Sequence, residues 1–590
     1  MIDFKFENLF GITYNSGNIL FSKTNNEILF SPVGNKVSMY DIKNGTSETI
    51  DVEARSNVQH IDISIKELLI IIDVDGYCIL VNLLKKIVIG HFNFRNKVTS
   101  LKISPCGGFV CVGVKNGVQI YELPQVLTKQ IEPLVLIKSY TALHSDSVKS
   151  ICWSTDSRFI LTAGYDTSLR LLNLFKIENY SPFSFIGHKK KVIMAVFSEN
   201  NEKLFSISED GVLFIWKYIS EKSKEFKERA NFNKKRSMMN LDSQEYVEET
   251  ENPNEENLEE ETREMSLYTE FEKKIYSGRY ILEKKQVFTA NSKISKAQIN
   301  LLSNILVIAL ENGVFSIYDL NSFENLYTLQ ITDNKINSMS INNNGLWLAF
   351  GSRKNEQLLV WEWKSETYVL KNQGHNFDVT SLGISLDSSI IVSGGNDGRI
   401  KVWDTKSTTC MTTFQEHTAK VTDIKFPVNK TNMFISSSLD STVRAFDLVK
   451  YVNFRTMTTP EPTKLNCVGI DSTGEIVVAG ASDPYSIYVW NLKTGDIVDI
   501  LSGHKGPISS LVFSLNKDLL LSSSWDKTVR TWSIYSKRGD YEVFEQNSEV
   551  LCVELNPDNK EFSATTIRGE IYTWDLENGV LKSKYYVLIK

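Results

Sequence analysis

Five of the seven histidines in this 590-residue chain stand at one fixed distance from an aspartate. His144, His188, His375, His417 and His504 precede Asp166, Asp210, Asp397, Asp440 and Asp526 by 22 or 23 residues, and six residues beyond each Asp lies Leu172, Trp216, Trp403, Phe446 or Trp532. Strand hydroxyls fall between them, with Ser393 before Trp403 and one of Ser522 to Ser524 before Trp532. Serine, histidine and aspartate together have the composition of a nucleophile, a base and its orienting acid. A catalytic triad is needed once per active site, however, and this set recurs five times at one spacing. A buried His–Asp pair is also tolerated as a brace when hydroxyl and indole groups satisfy its remaining nitrogens and oxygens. Repetition selects the brace, so no catalytic, cofactor-binding or metal-binding residue is assigned and the chain reads as a non-enzyme. It holds no GxxxxGK[ST], GxGxxG, HExxH or GxSxG string.

A brace that recurs implies a unit that recurs. The turn residues before each closing strand are Asn35, Asp75, Asn116, Asp166, Asp210, Asn312, Asn355, Asp397, Asp440, Asp483, Asp526 and Arg568, with successive gaps of 40, 41, 50, 44, 102, 43, 42, 43, 43, 43 and 42 residues. Runs such as VQIYEL (118–123), IKVWDT (400–405) and IYTWDL (571–576) follow the turns, and pairs such as Asn116-Gly117 and Asp397-Gly398 suit hairpins that need positive φ. The period, the short apolar runs and the closing Trp or aromatic resemble WD-repeat blades, four-stranded sheets of about 40–45 residues. The fold class is therefore all-β, as tandem WD-repeat β-propellers. Rings close with about four to eight blades, so twelve units require two rings. The boundary falls before the Gly374-His375 start. Residues 1–371 are expected to form a seven-bladed propeller, and 372–590 about five blades of a second, incomplete one.

The single long gap contains an insertion at about 219–270. It opens basic, with Lys234, Lys235 and Arg236 as a possible nuclear-targeting patch, and continues with eleven acidic residues between Asp242 and Glu264. Such charge blocks bury too little apolar area to offset ordering, which predicts a disordered loop placed between two blades. The formal charge of −6 argues against a protein that captures nucleic acid by bulk electrostatics. Seven scattered cysteines without CxxC spacing fit reduced thiols, and MIDFKFENLF has no signal-peptide core, so a soluble intracellular protein is expected.

Between the repeat positions the chain carries DFKFENLFGITYNSGNI (3–19), LFSPVGNKVSMYD (29–41), QLLVWEWKSETYVLKNQGH (357–375) and SSSLDSTVRAFDLVKYVNFRT (436–456). These strings resemble the periodic tryptophan protein 2 family along nearly the whole chain. The resemblance implies a scaffold of the small-subunit processome in the nucleolus. It also implies partners among other WD-repeat processome subunits, the box C/D small nucleolar ribonucleoprotein and pre-rRNA. That family continues into further blades and a helical C-terminal domain, which this chain is expected to lack because it stops soon after IYTWDL. Vesicle-coat or cytoskeletal double propellers are the alternative; they share the blade pattern without these strings.

Overall fold

The computed structural model describes residues 8–9, 14–124, 133–174, 183–220, 278–288 and 292–586, apart from 355, 376, 430–431, 515–518, 535–540, 557 and 577. The described residues form twelve antiparallel sheets of four strands, each built from consecutive strands in sequence order. They divide into two compact units, one formed chiefly by Thr49–Lys371 and one chiefly by Asn372–Lys590. Seven sheets lie in the first and five in the second. The fold is a tandem of WD β-propellers, the first with seven blades and the second incomplete.

Each blade is graded from inside to outside, and the gradation follows from the sequence. Second strands such as Leu68–Asp73, Phe159–Gly164 and Ile305–Leu310 are buried at every position, so they are continuous apolar or small-residue runs. Fourth strands face solvent on one side and alternate, as Asn325–Gln330 and Val452–Thr458 do. First strands share a bulge. Their registers shift between Val58 and His60, Val148 and Ser150, Ile294 and Lys296, Val421 and Asp423, and Ile508 and Ser510, leaving the residue between unpaired. An extra residue of this kind re-aims its side chain out of the ladder. At the hairpins glycine meets a steric need: Gly313 has φ of 81°, and a Cβ there would collide with the Thr332 carbonyl.

Blade 1 of the first unit, residues 20–49, packs on blade 7, residues 338–373. The Ile19 and Phe21 amides donate to Ser338 Oγ at 2.8 Å and Ser340 Oγ at 3.3 Å. Tyr14, Ile19, Leu29, Ala349, Leu358 and Val360 share one core cluster across that seam. Among the described residues no strand is exchanged between the first and last blades, and side-chain packing and these hydroxyls join them.

The first blade of the second unit has an uncovered face among the described residues. Its Val379 and Leu382 are 51% and 65% exposed, whereas the same positions of the next blade, Val421 and Ile424, are 0% and 1% exposed. A blade face of this kind is covered wherever a neighbour precedes it, and the 379–414 blade has no such neighbour among the described residues.

The insertion is placed differently from the sequence expectation. Val212–Ser220 pairs with Gly278–Val287 within one sheet, from Val212↔Val287 to Ser220↔Gly278. The inserted residues therefore interrupt a single blade between its third and fourth strands, not the junction of two blades. The reason is the offset between sequence repeat and sheet: the Gly-His start belongs to the turn after a blade's outer strand, so spacing alone cannot distinguish the two positions. Ile219 and Ser220 are strand residues; Lys234, Lys235 and Arg236 lie outside the described residues.

Candidate functional site

The histidine sets meet at a hydroxyl four residues before each Asp. In the best-formed set His504 Nδ1 lies 2.9 Å from Asp526 Oδ2, His504 Nε2 lies 2.7 Å from Ser522 Oγ, and Trp532 Nε1 donates to the same Oγ at 2.8 Å. Of the candidates Ser522 to Ser524, Ser522 is the member. His375 repeats the arrangement, with Asp397 at 3.3 Å, Ser393 at 2.8 Å, and Trp403 donating to Ser393 at 2.8 Å. His417 reaches Asp440 and Ser436, both at 2.8 Å; its aromatic partner Phe446 has no N–H to add. His144 reaches Asp166 and Thr162, both at 3.0 Å, where Leu172 stands in the aromatic position.

One set is broken. His188 Nε2 lies 2.8 Å from Ser206 Oγ and Trp216 Nε1 donates to that oxygen at 3.1 Å. Asp210 accepts instead from Ser208, and among the described residues His188 Nδ1 is buried without a hydrogen-bond partner. The ring stacks on Phe214 with centroids 4.2 Å apart.

The charges follow from burial. Burial would raise the Asp526 carboxyl, but hydrogen bonds from His504, Thr528 and the Lys505 amide hold it well below the ordinary carboxylate range; Asp440 behaves alike through His417, Thr442 and the Thr418 amide. Burial lowers the His144 and His375 rings, against the pull of Asp166 and Asp397. It takes His188 down to about 4, Asp210 opposing only in part. A serine hydroxyl already shared by an imidazole and an indole, 0% exposed at Ser522, has no route to a substrate. The arrangement can hold strands together; it cannot deliver a nucleophile.

Sequence reading missed two other groups. Asp62 and Asp423 are first-strand residues that reach into the next blade, accepting from the Ile103 amide at 2.7 Å and the Val468 amide at 3.2 Å. The other group is a ring of basic side chains around the axis of the first unit: Lys97, Lys149, Lys296 and Arg353. They are far apart in sequence. Only the shared bulge register of the first strands hints that Lys149 and its neighbours face one space.

Residues 136–173, 180–217, 366–404, 408–447 and 495–533 match the family described as WD domain, G-beta repeat. These are the five repeats that carry the five braced histidines. The chain is 39% identical over 580 residues to periodic tryptophan protein 2 of Saccharomyces cerevisiae, covering 98% of this chain and 59% of that one. With the protein of that name from Arabidopsis thaliana it shares 34% identity over 601 residues, 98% of this chain and 66% of the relative. With the Mus musculus homolog it shares 36% over 580 residues, 98% and 62%. The chain belongs to the periodic tryptophan protein 2 family. It is a WD-repeat protein, and it spans 59% to 66% of the length of these relatives. The similarity runs through the seven repeats that the WD description leaves unmatched, so it does not rest on the braces alone.

Proposed function

We propose that this chain acts as a non-catalytic scaffold in small ribosomal subunit biogenesis, within a processome subcomplex that works on early 18S pre-rRNA. The observation that carries this reading is the similarity to periodic tryptophan protein 2 relatives over 98% of the chain, repeat and inter-repeat residues alike. The architecture suits the role. Twelve rigid blades present loops at many angles, and loops on a fixed frame can engage several partners at once. The partners are other WD-repeat processome subunits and the box C/D small nucleolar ribonucleoprotein, with pre-rRNA contacted directly or through them. The location is the nucleus, concentrated in the nucleolus, with Lys234, Lys235 and Arg236 as the targeting patch. In this reading residues 1–371 and 372–590 act as two propeller domains.

The test is affinity purification of the tagged chain combined with RNA crosslinking. Co-sedimentation with 18S precursors and recovery of box C/D proteins is the expected result. A tagged chain recovered only with vesicle-coat or cytoskeletal proteins, without pre-rRNA, would overturn it.

A further inference from the structure

A cavity of about 590 Å³ opens at the axis of the first unit, within the size range of small-ligand sites. Lys97, Lys149, Lys296 and Arg353 line it, and no carboxylate does. Among the described residues none of the four is in an ion pair; Lys149 has only the Tyr165 ring, 5.8 Å away. Elsewhere in the unit lysines do find carboxylates, as Lys36 finds Glu53 at 2.9 Å and Lys335 finds Glu311. Two buried polar atoms beside the cations, Gln59 Oε1 and His60 Nε2, are likewise without hydrogen-bond partners.

The crowding is felt by the cavity's own groups. Burial, with Lys149 and Lys296 next and Lys97 last, takes the His60 ring down to about 3; burial and then Lys149 and Lys335 take Lys296 down to about 8. Like charges gathered in a partly desolvated space destabilise the fold unless an anion offsets them. The cations come from different blades, and the first-strand bulge leaves Lys149 free of the ladder, so the fold itself aims it there.

We infer that the axial cavity of the first propeller binds a compact polyphosphate anion, held by Lys97, Lys149, Lys296 and Arg353. The size favours a small multivalent anion over a polymer, and four converging cations match the charge of a linear triphosphate or of a phosphorylated polyol. Either source carries the same chemistry. The ligand would be structural, stapling blades that are distant in sequence.

Titration of the purified full chain with inorganic triphosphate at low salt, followed by calorimetry and thermal unfolding, tests this. Saturable binding is expected with a rise in the first unit's melting temperature, and Lys149→Gln should weaken it about tenfold, the loss of one charge-assisted contact. Lys364→Gln, a surface change away from the cavity, should leave the affinity unchanged. Inositol hexakisphosphate in a parallel titration separates the two sources, and tighter binding of either probe supports the site. Absent binding of both, or equal weakening by Lys149→Gln and Lys364→Gln, overturns the proposal. Retention of single-stranded RNA or polyglutamate that triphosphate cannot displace overturns it too.

Discussion

Replacing Ser522 with alanine removes one oxygen and strands two buried groups. Ser522 is 0% exposed, and its Oγ sits 2.7 Å from His504 Nε2 and 2.8 Å from the Trp532 Nε1 donor. Each buried polar group left without a partner costs about 1–3 kcal/mol. The hydroxyl's own burial cost is recovered in part, so the expected net loss is about 2–4 kcal/mol. Ser436→Ala supplies the internal comparison. Ser436 is also 0% exposed and lies 2.8 Å from His417 Nε2, but the neighbouring aromatic is Phe446, which has no N–H to strand. The same substitution there should cost about half as much, in the same unit and at the same blade position. Urea unfolding of the purified chain, followed by the fluorescence of the second unit's tryptophans, measures both. A double-mutant cycle with Trp532→Phe isolates the indole contribution, and a coupling of about 1 kcal/mol or more is expected for residues in contact. Equal losses at Ser436 and Ser522, with no coupling to Trp532, would refute the shared-hydroxyl brace. If Ser522→Ala instead left stability intact and abolished a measurable hydrolysis, the catalytic reading would return.

Acid should weaken the fold before its carboxylates titrate. The His188 ring is held at about 4 in the fold against an ordinary value of 6.5, so the unfolded chain takes up that proton first and stability falls as pH drops from about 6.5 toward 4. The loss at pH 5 is on the order of 2 kcal/mol; His188→Gln should reduce the fall of the urea midpoint between pH 7 and 5 by that part, leaving the share of the His60, His144 and His375 rings, which burial also lowers, and an unchanged slope counts against the assignment. The depressed Asp440 and Asp526 carboxyls add a further loss only below about pH 4, as pH falls under their unfolded values. At the ring seam a Cβ on Gly351 would stand 2.6 Å from Ile19 Cδ1 and 2.9 Å from the Tyr14 ring, so Gly351→Ala should lower the first unit's stability by about 1–3 kcal/mol in the same assay. On the open face of the 379–414 blade, Leu382→Lys with Ile384→Lys removes side chains that are 65% and 60% exposed. Concentration-dependent association by analytical ultracentrifugation should fall, while stability moves by less than about 0.5 kcal/mol.

What the sequence disclosed and what it hid divide along a physical line. Period, turn chemistry and strand composition are local, and they gave twelve units, the all-β class and the residues of each brace. The identity of the hydroxyl was nearly legible, since Ser393 and Ser522 both stand four residues before the turn Asp; the failure of the His188 set was not. Its spacing is the same as the others, and Ser438 and Ser524 stand where Ser208 does in sets that remain intact, so the pairing of Asp210 with Ser208 is visible only in the structure. The insertion was expected at the wrong junction because each turn-to-turn interval contains a third strand, a fourth strand and the next blade's first two, and its length does not say on which side of the fourth strand the extra residues fall. The interblade anchors Asp62 and Asp423 and the axial cations are non-local: Asp62, Asp423, Lys149 and Lys296 are single charged residues in first strands, Lys97 and Arg353 single charged residues between strands, and none differs along the chain from a solvated one.

That division also explains where function resides. The brace repeats because blades face the same problem of joining their strands, and a solution that recurs in five units, intact in four of them, carries no information about a particular partner. Specificity has to come from positions that do not repeat. Lys149 occupies the bulge position where Thr99 and Ser509 instead use their hydroxyls to cap backbone carbonyls, of Gly113 at 3.2 Å and of Val550 at 2.8 Å. A position that elsewhere ties the frame together has been given a charge with no carboxylate beside it. Departures of this kind from the blade pattern, at Lys149 and Lys296 on the axis, are where a common scaffold acquires a ligand of its own.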